Sequence, residues 1–302
     1  MSEQASAERT NSHPLAGKIM SGADIVVQVL ADEGVDTIFG YSGGAILPTY
    51  DAVFRYNKLH GGEGGRSPMP LIVPANEQGA GFMASGYARA SGKVGVVMVT
   101  SGPGATNTVT PVRDCMADSV PVVVICGQVP RSAVGTDAFQ EAPVSAIMGA
   151  VAKHVFLVTD PERLEATIRS AFELARTGRP GPVVIDIPKD VQNWEGAFMG
   201  SGALPLTGYR RRLQAVTENR LTDESCERFF EMLAESERPL IYAGGGVINA
   251  NAAKSMRRLA SEYGIPVTTT LMALGASDTR HPLALHMLGM HGIASANYAV
   301  ED

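Results

Sequence analysis

Short apolar runs without polar alternation recur along the chain, each followed by a stretch of helical periodicity. LIVPA (71–75), VGVVMVT (94–100), PVVVICG (121–127) and PVVIDIP (182–188) have the pattern of strands buried on both faces, and VDTIFG (35–40) and VAKHVFLV (151–158) are shorter or mixed versions. Between them, SGADIVVQVLADEG sets Ile25, Val26, Val29 and Leu30 on one helical face, with Ser21 as cap and Gly34 as stop. GYSGGAILPTYDAVF (40–54) reads as a glycine turn and a short helix, and NEQGAGFMASGYARASG (76–92) as a longer one. Asp160-Pro161-Glu162 opens another helix, which runs to about Thr177. Apolar strands alternating with helices predict an α/β domain built on a doubly wound parallel sheet of about six strands between Val35 and Pro188.

The pattern then lapses. Residues 189–218 show no clean periodicity and read as an extended linker. A second α/β pattern follows over 219–302: a helix from Thr222 to about Ser236, the strand PLIYAGGG, a helix over 250–263, the strand IPVTTT and the start of a further helix. This is short for an open doubly wound domain, so the second domain is expected to be incomplete. Residues 1–17 are expected to be a disordered lead-in, 18–188 the first domain, and HGGEGGRSPMP (60–70) a surface loop.

Composition narrows the function classes. A net charge of −6 offers no basic field for nucleic acid or acidic membranes, and no apolar run approaches the roughly 20 residues of a membrane span. Three scattered cysteines, Cys115, Cys126 and Cys226, fit a reducing compartment, and with no apolar core in the first 17 residues a cytoplasmic location is expected.

Candidate chemistry sits at the loops that leave the carboxyl ends of the strands, where open parallel sheets bind ligands. Glu77 opens the helix after LIVPA, and SGPGATN (101–107) is the glycine turn after VGVVMVT. Each also has a purely structural reading: an acid in the first turn behind the cap Asn76 favours the helix dipole, and Pro103 suits a first helical position. The loop QVPRSAVGTDAFQE (128–141) is long enough to be functional. A Walker A motif is absent, GGGVINA fails GxGxxG at its last glycine, and the histidines lack metal-ligand spacing.

GYSGGAILPTYDA, NEQGAGFMASGYARASGKVGVVMVTSGPGATN, GQVPRSAVGTDAFQE, RPGPVVIDIPKDV and MLGMHG together resemble the catalytic subunit of acetohydroxyacid synthases (acetolactate synthases), which are thiamine-diphosphate enzymes. The resemblance runs from Ser21 to Asp302. It implies that the first domain binds the aminopyrimidine ring, with Glu77 at the ring nitrogen as the catalytic carboxylate and Gln128 near the reaction centre. Tyr41, Gly43 and Gly44 would lie near the cofactor, and Thr100, Pro103 and Asn107 beside the pyrimidine. Phe139 and Lys153 would line a substrate channel. Arg179, Gly244, Gly245, Gly246, Thr270, Leu271, Met290, His291 and Gly292 would contact FAD, which is bound without net redox.

The implied reaction decarboxylates pyruvate on thiamine diphosphate and joins the two-carbon unit to a second 2-keto acid, pyruvate or 2-ketobutyrate, on the route to valine, leucine and isoleucine. The family is a homodimer or tetramer, at times with a small regulatory subunit, and its C-terminal domain holds Mg²⁺ and diphosphate through a GDG motif. No GDG occurs here, so the chain is expected to be inactive alone and to hold no metal itself. Asn76 and Ser42 stand where the family usually has His and Pro. The alternatives are a related thiamine-diphosphate enzyme (a pyruvate oxidase, sulfoacetaldehyde acetyltransferase or oxalyl-CoA decarboxylase) and a non-catalytic nucleotide-binding or interaction protein on the same fold.

Overall fold

The computed structural model describes residues 13–61, 67–218 and 221–301. It divides into two compact units, Met1–Leu213 and Gln214–Asp302. In the first unit the strands are β1 (Ile19–Ser21), β2 (Ile38–Tyr41), β3 (Leu71–Ile72), β4 (Gly95–Val99), β5 (Val122–Gln128), β6 (His154–Leu157), β7 (Val183–Pro188) and β8 (Glu195–Ala197). The helices are α1 (Gly22–Asp32), α2 (Leu47–His60), α3 (Glu77–Ser91), α4 (Pro103–Thr106), α5 (Val109–Asp118), α6 (Val144–Gly149), α7 (Leu164–Arg176) and α8 (Lys189–Gln192). α9 (Thr207–Glu218) crosses the boundary between the units.

Six strands form one parallel sheet in the order β3-β2-β4-β5-β7-β6. Alternate residues of each strand serve opposite cores. Val96, Met98, Val123 and Ile125 pack with α1, α2 and α7 on one face, and Val97, Val99, Val124 and Cys126 pack with α3, α5 and α6 on the other. Burial of one such side chain is worth about 1.5–3 kcal/mol, so apolar residues at both parities are what a sheet covered on two faces requires. The helix starts follow their caps: Ser21 Oγ accepts from Asp24 N–H at 3.1 Å, and Asn76 Oδ1 accepts from Gly79 N–H at 2.8 Å. The order reverses between β2 and β4, the switch point at which an open parallel sheet is expected to have its ligand crevice.

The stretch 189–218 departs from the expected linker. It contains α8, β8 and α9, and β8 pairs antiparallel with β1, Ile19 opposite Ala197. Phe198 is fully buried, with the His13 ring edge-on at 5.0 Å, and Gly17 N–H donates to its carbonyl. The first compact unit therefore extends past 188 to Leu213, and residues 13–17 of the expected lead-in are packed against it. Short elements with irregular burial carry no period, which is why the pattern missed them. The rest of that lead-in, and 62–66 of the expected surface loop, lie outside the described residues.

In the second unit the strands β9 (Ile241–Ala243), β10 (Val267–Thr269) and β11 (Ala284–Met287) form a parallel sheet in the order β11-β10-β9. Its helices are α10 (Asp223–Glu235), α11 (Gly246–Asn249), α12 (Ala253–Tyr263) and α13 (Ala294–Glu301). The helix expected over 250–263 starts at Ala253, after Asn251 takes a left-handed φ of 51°. β11 has no continuous apolar run, and His286 within it sits at φ 63°, so the pattern gave no sign of it.

Candidate cofactor site

β3 ends two residues before the tripeptide Pro74-Ala75-Asn76, and the Asn76 cap turns the chain into α3 so that Glu77 stands in its first turn. Glu77 is 8% exposed, a low value for a carboxylate that forms no ion pair among the described residues. Its Oε2 accepts a hydrogen bond of 2.9 Å from Asn107 Nδ2, which stands at the end of α4 after the glycine turn of β4. Oε1 points toward Gly104, where an added Cβ would stand 3.6 Å away. A Cβ there would also meet Thr100 Cγ2 at 2.7 Å. On the other side of Thr100, a Cβ at Gly43 would fall 2.5 Å from the threonine side chain, and Thr100 Oγ1 accepts from Ala45 N–H at 3.3 Å. Gly43, Thr100, Gly104, Glu77 and Asn107 thus form one continuous cradle at the carboxyl ends of β2, β3 and β4. Gly102, at φ 51°, lets the turn close; its missing Cβ would strike the Gln140 carbonyl oxygen at 2.4 Å.

Tyr41 ends β2 beside this cradle, Pro103 occupies the first position of α4, and Gly44 follows Gly43 with open space where a Cβ would be. Phe139, 88% exposed, rides on the loop whose Gln140 backbone touches Gly102. Gln128 is not turned toward the cradle. It is 2% exposed, its Nε2 donates to Asp186 Oδ2 at 3.0 Å and to the Ala142 carbonyl at 3.2 Å, and its Oε1 accepts from Val129 N–H.

Lys153 and Arg179 stand at the opposite end of the sheet, just before β6 and β7 begin. Lys153 Nζ donates to the carbonyls of Leu174, Thr177 and Arg179 at the C-terminus of α7, where a cation complements the helix dipole. Arg179 is engaged with Ser119 Oγ and the carbonyls of Met116 and Ala117 at the end of α5. Neither is brought together with Glu77.

In the second unit the flavin candidates do converge. Gly244–Gly246 follow β9, Thr270 and Leu271 follow β10, and Met290, His291 and Gly292 follow β11, all at the carboxyl ends of the small sheet. Thr270 N–H donates to the Ala243 carbonyl at 2.9 Å, and Gly292 lies too close to Met287 and Leu288 to carry a side chain. The buried hydroxyls of Thr269 and Thr270 lack a hydrogen-bond partner among the described residues. Buried polar atoms are rarely left so, and two at one strand end fit a polar ligand.

Three supporting residues escaped the sequence reading. Gln192, fully buried in the stretch taken for a linker, donates to the Ala45 carbonyl at 2.8 Å and accepts from Thr49 Oγ1 at 2.9 Å, fixing the loop after β2. Asp186 lies in the core of β7, and burial pushes its carboxyl up to about 7, against the lowering effect of Gln128. Tyr50 O–H donates to the Met98 carbonyl at 2.9 Å; burial, and secondarily the Glu77 charge, raise its hydroxyl well above the usual range, so it stays a neutral donor. None of these contacts has a local motif; each joins residues far apart in the chain.

Residues 20–147 match the thiamine pyrophosphate enzyme N-terminal TPP binding domain, and residues 226–302 match the central domain of the same enzymes. The chain is 44% identical over 286 residues to the mitochondrial acetolactate synthase catalytic subunit of Saccharomyces cerevisiae, covering 94% of this chain and 40% of that one. It is 44% identical to the chloroplastic acetolactate synthase of Arabidopsis thaliana (93% of this chain, 39% of the relative). To the acetolactate synthase large subunit of Corynebacterium glutamicum it is 45% identical (93% and 42%). The chain spans about two fifths of the length of these relatives. With the cradle around Glu77 at the switch point of the matched N-terminal domain, the chain belongs to the thiamine pyrophosphate enzymes, of which it carries the N-terminal and central domains.

Proposed function

We propose that this chain supplies the aminopyrimidine-binding and central domains of an acetolactate synthase, which decarboxylates pyruvate and joins the product to a second 2-keto acid, pyruvate or 2-ketobutyrate. The observation that supports it most is the buried Glu77 carboxylate, held on one oxygen by Asn107 with the other toward Gly104. The names of the relatives favour this reading over other thiamine-diphosphate chemistry.

Thiamine diphosphate, when bound, supplies the electron sink that a 2-keto acid needs to lose carbon dioxide. The chain's own residues do the rest. Glu77 would hold a proton at a ring nitrogen of the aminopyrimidine, and a charge-assisted hydrogen bond of this kind is strong where water is excluded. Asn107 fixes which carboxylate oxygen is free. Gly43 and Gly104, lacking side chains, let their turns pack directly on Thr100 beside Glu77. FAD would be held by Thr270 and the Gly244–Gly246 turn. Mg²⁺ would be held by a diphosphate-binding domain.

The proposed assembly is a homodimer or tetramer, with a small regulatory subunit as a further partner. Among the described residues no helix is long and apolar enough to cross a membrane, and the free thiols of Cys115, Cys126 and Cys226 suit the reducing cytoplasm. Glu77→Gln tests the reading: acetolactate formation should fall by about 10²–10⁴-fold, and an undiminished rate would sink it.

A further inference from the structure

The loop from Val129 to Pro143 is built around one carboxylate that no part of the chemistry above uses. Glu141 Oε1 accepts from Gly135 N–H, and Oε2 accepts from Thr136 N–H and Ala138 N–H, each at 3.2 Å. These contacts, the Gly135 bond first, hold the carboxyl below the usual carboxylate range, so it is an acceptor on both oxygens at neutral pH. The backbone it gathers is bent: Gly135, Asp137 and Gln140 have φ of 83°, 56° and 57°. Two non-glycine residues in the left-handed region within four positions cost free energy and persist only where surrounding contacts hold them.

Both ends of the loop are tied as well. Arg131 donates to Asp190 and to the Thr159 carbonyl, and the Ala142 carbonyl accepts from Gln128. What the clasp presents is the segment Phe139-Gln140. The Gln140 backbone lies against Gly102, the first glycine of the turn that carries Asn107 to Glu77, and Phe139 stands exposed beside it.

We infer that Glu141 is a positioning residue: its carboxylate clasps the loop so that Phe139 and Gln140 form the substrate-facing rim of the Glu77 crevice. This rests on the proposed function for the identity of the substrate. Without the clasp the strained turns relax, the rim moves off the Gly102 turn, and the 2-keto acid is bound less well while the chemistry at Glu77 continues.

The test compares wild type with Glu141→Ala and Glu141→Gln, in which an amide nitrogen faces backbone donors. Amide exchange is followed in this chain, and pyruvate consumption in the active enzyme that contains it. The clasp predicts exchange at Gly135, Thr136 and Ala138 faster by about tenfold or more in Glu141→Ala, less in Glu141→Gln, with global unfolding little changed. It predicts a pyruvate KM raised about tenfold at nearly constant kcat. Unchanged exchange, or faster exchange with unchanged KM, overturns the inference. Because consumption is read rather than product, a wild type that consumes pyruvate without making acetolactate would overturn the proposed function while still deciding the role of Glu141. No consumption at all would overturn both.

Discussion

Asn107 Nδ2 donates to Glu77 Oε2 across 2.9 Å, and the bond joins two loops whose strands are not neighbours. β2 lies between β3, which leads to Glu77, and β4, which leads to Asn107. The carboxylate is therefore oriented by the topology of the sheet and not by its own helix alone. Asn107→Ala leaves Glu77 buried without its donor. Loss of a hydrogen bond to a charged group is worth about 1.5–3 kcal/mol, so kcat/KM should fall roughly ten- to hundredfold. Steady-state kinetics of acetolactate formation checks this.

Gly104 is required by the close approach of its turn to Thr100. An alanine there would place its methyl 2.7 Å from Thr100 Cγ2 and 3.6 Å from Glu77 Oε1, where the cofactor ring is proposed to lie. Gly104→Ala should weaken thiamine diphosphate binding by about tenfold or more, or roughly 1.4 kcal/mol, and should also lower stability, because Thr100 must shift. Isothermal titration with the cofactor, beside a thermal melt, separates the two effects.

Asp186 should give the fold a pH dependence of unusual sign. Its carboxyl titrates near 7 when folded, because burial outweighs the Gln128 hydrogen bond, and near 4 when unfolded. Between those values the folded chain binds the extra proton, so this group's contribution is fully present below about pH 4 and lost as pH rises through about 7. Asp186→Asn keeps an oxygen for Gln128 Nε2 and removes the titration. The wild type should lose more stability than the variant between pH 5 and pH 8, by an amount on the order of a few kcal/mol. Equal slopes in chemical unfolding would contradict the assignment.

Lys153 separates a structural role from a substrate-channel role. Its ammonium serves three carbonyls at the end of α7, away from the crevice. Lys153→Met should cost roughly 2–3 kcal/mol of unfolding free energy and leave the pyruvate KM unchanged. A raised KM at full stability would restore the channel role.

The reach of sequence reading follows the range of the contacts. The six-stranded sheet was legible because Val96–Val99 and Val122–Cys126 are apolar at both parities, a pattern that only two-sided burial explains. Glu77 and the Gly102 turn were legible as loops at strand ends, and the resemblance gave the reason to pair them. Gln128 was expected near the reaction centre, but it sits inside, bonded to Asp186, because a residue at a strand's last position faces whichever side the pleat dictates. The later helix start after Asn251 and the β1–β8 pair depend on a single dihedral and on residues about 175 positions apart, which local periodicity does not encode. Gln192 and Glu141 act through backbone groups, and those carry no residue signature.

The central claim is that Glu77 is the carboxylate of a thiamine-diphosphate site that makes acetolactate. Its most direct test is product formation from pyruvate by the active enzyme containing this chain, wild type against Glu77→Gln, at saturating cofactor. The account predicts acetolactate from the wild type and a rate lower by about 10²–10⁴-fold in the variant. A different product, or a variant as fast as the wild type, would contradict it.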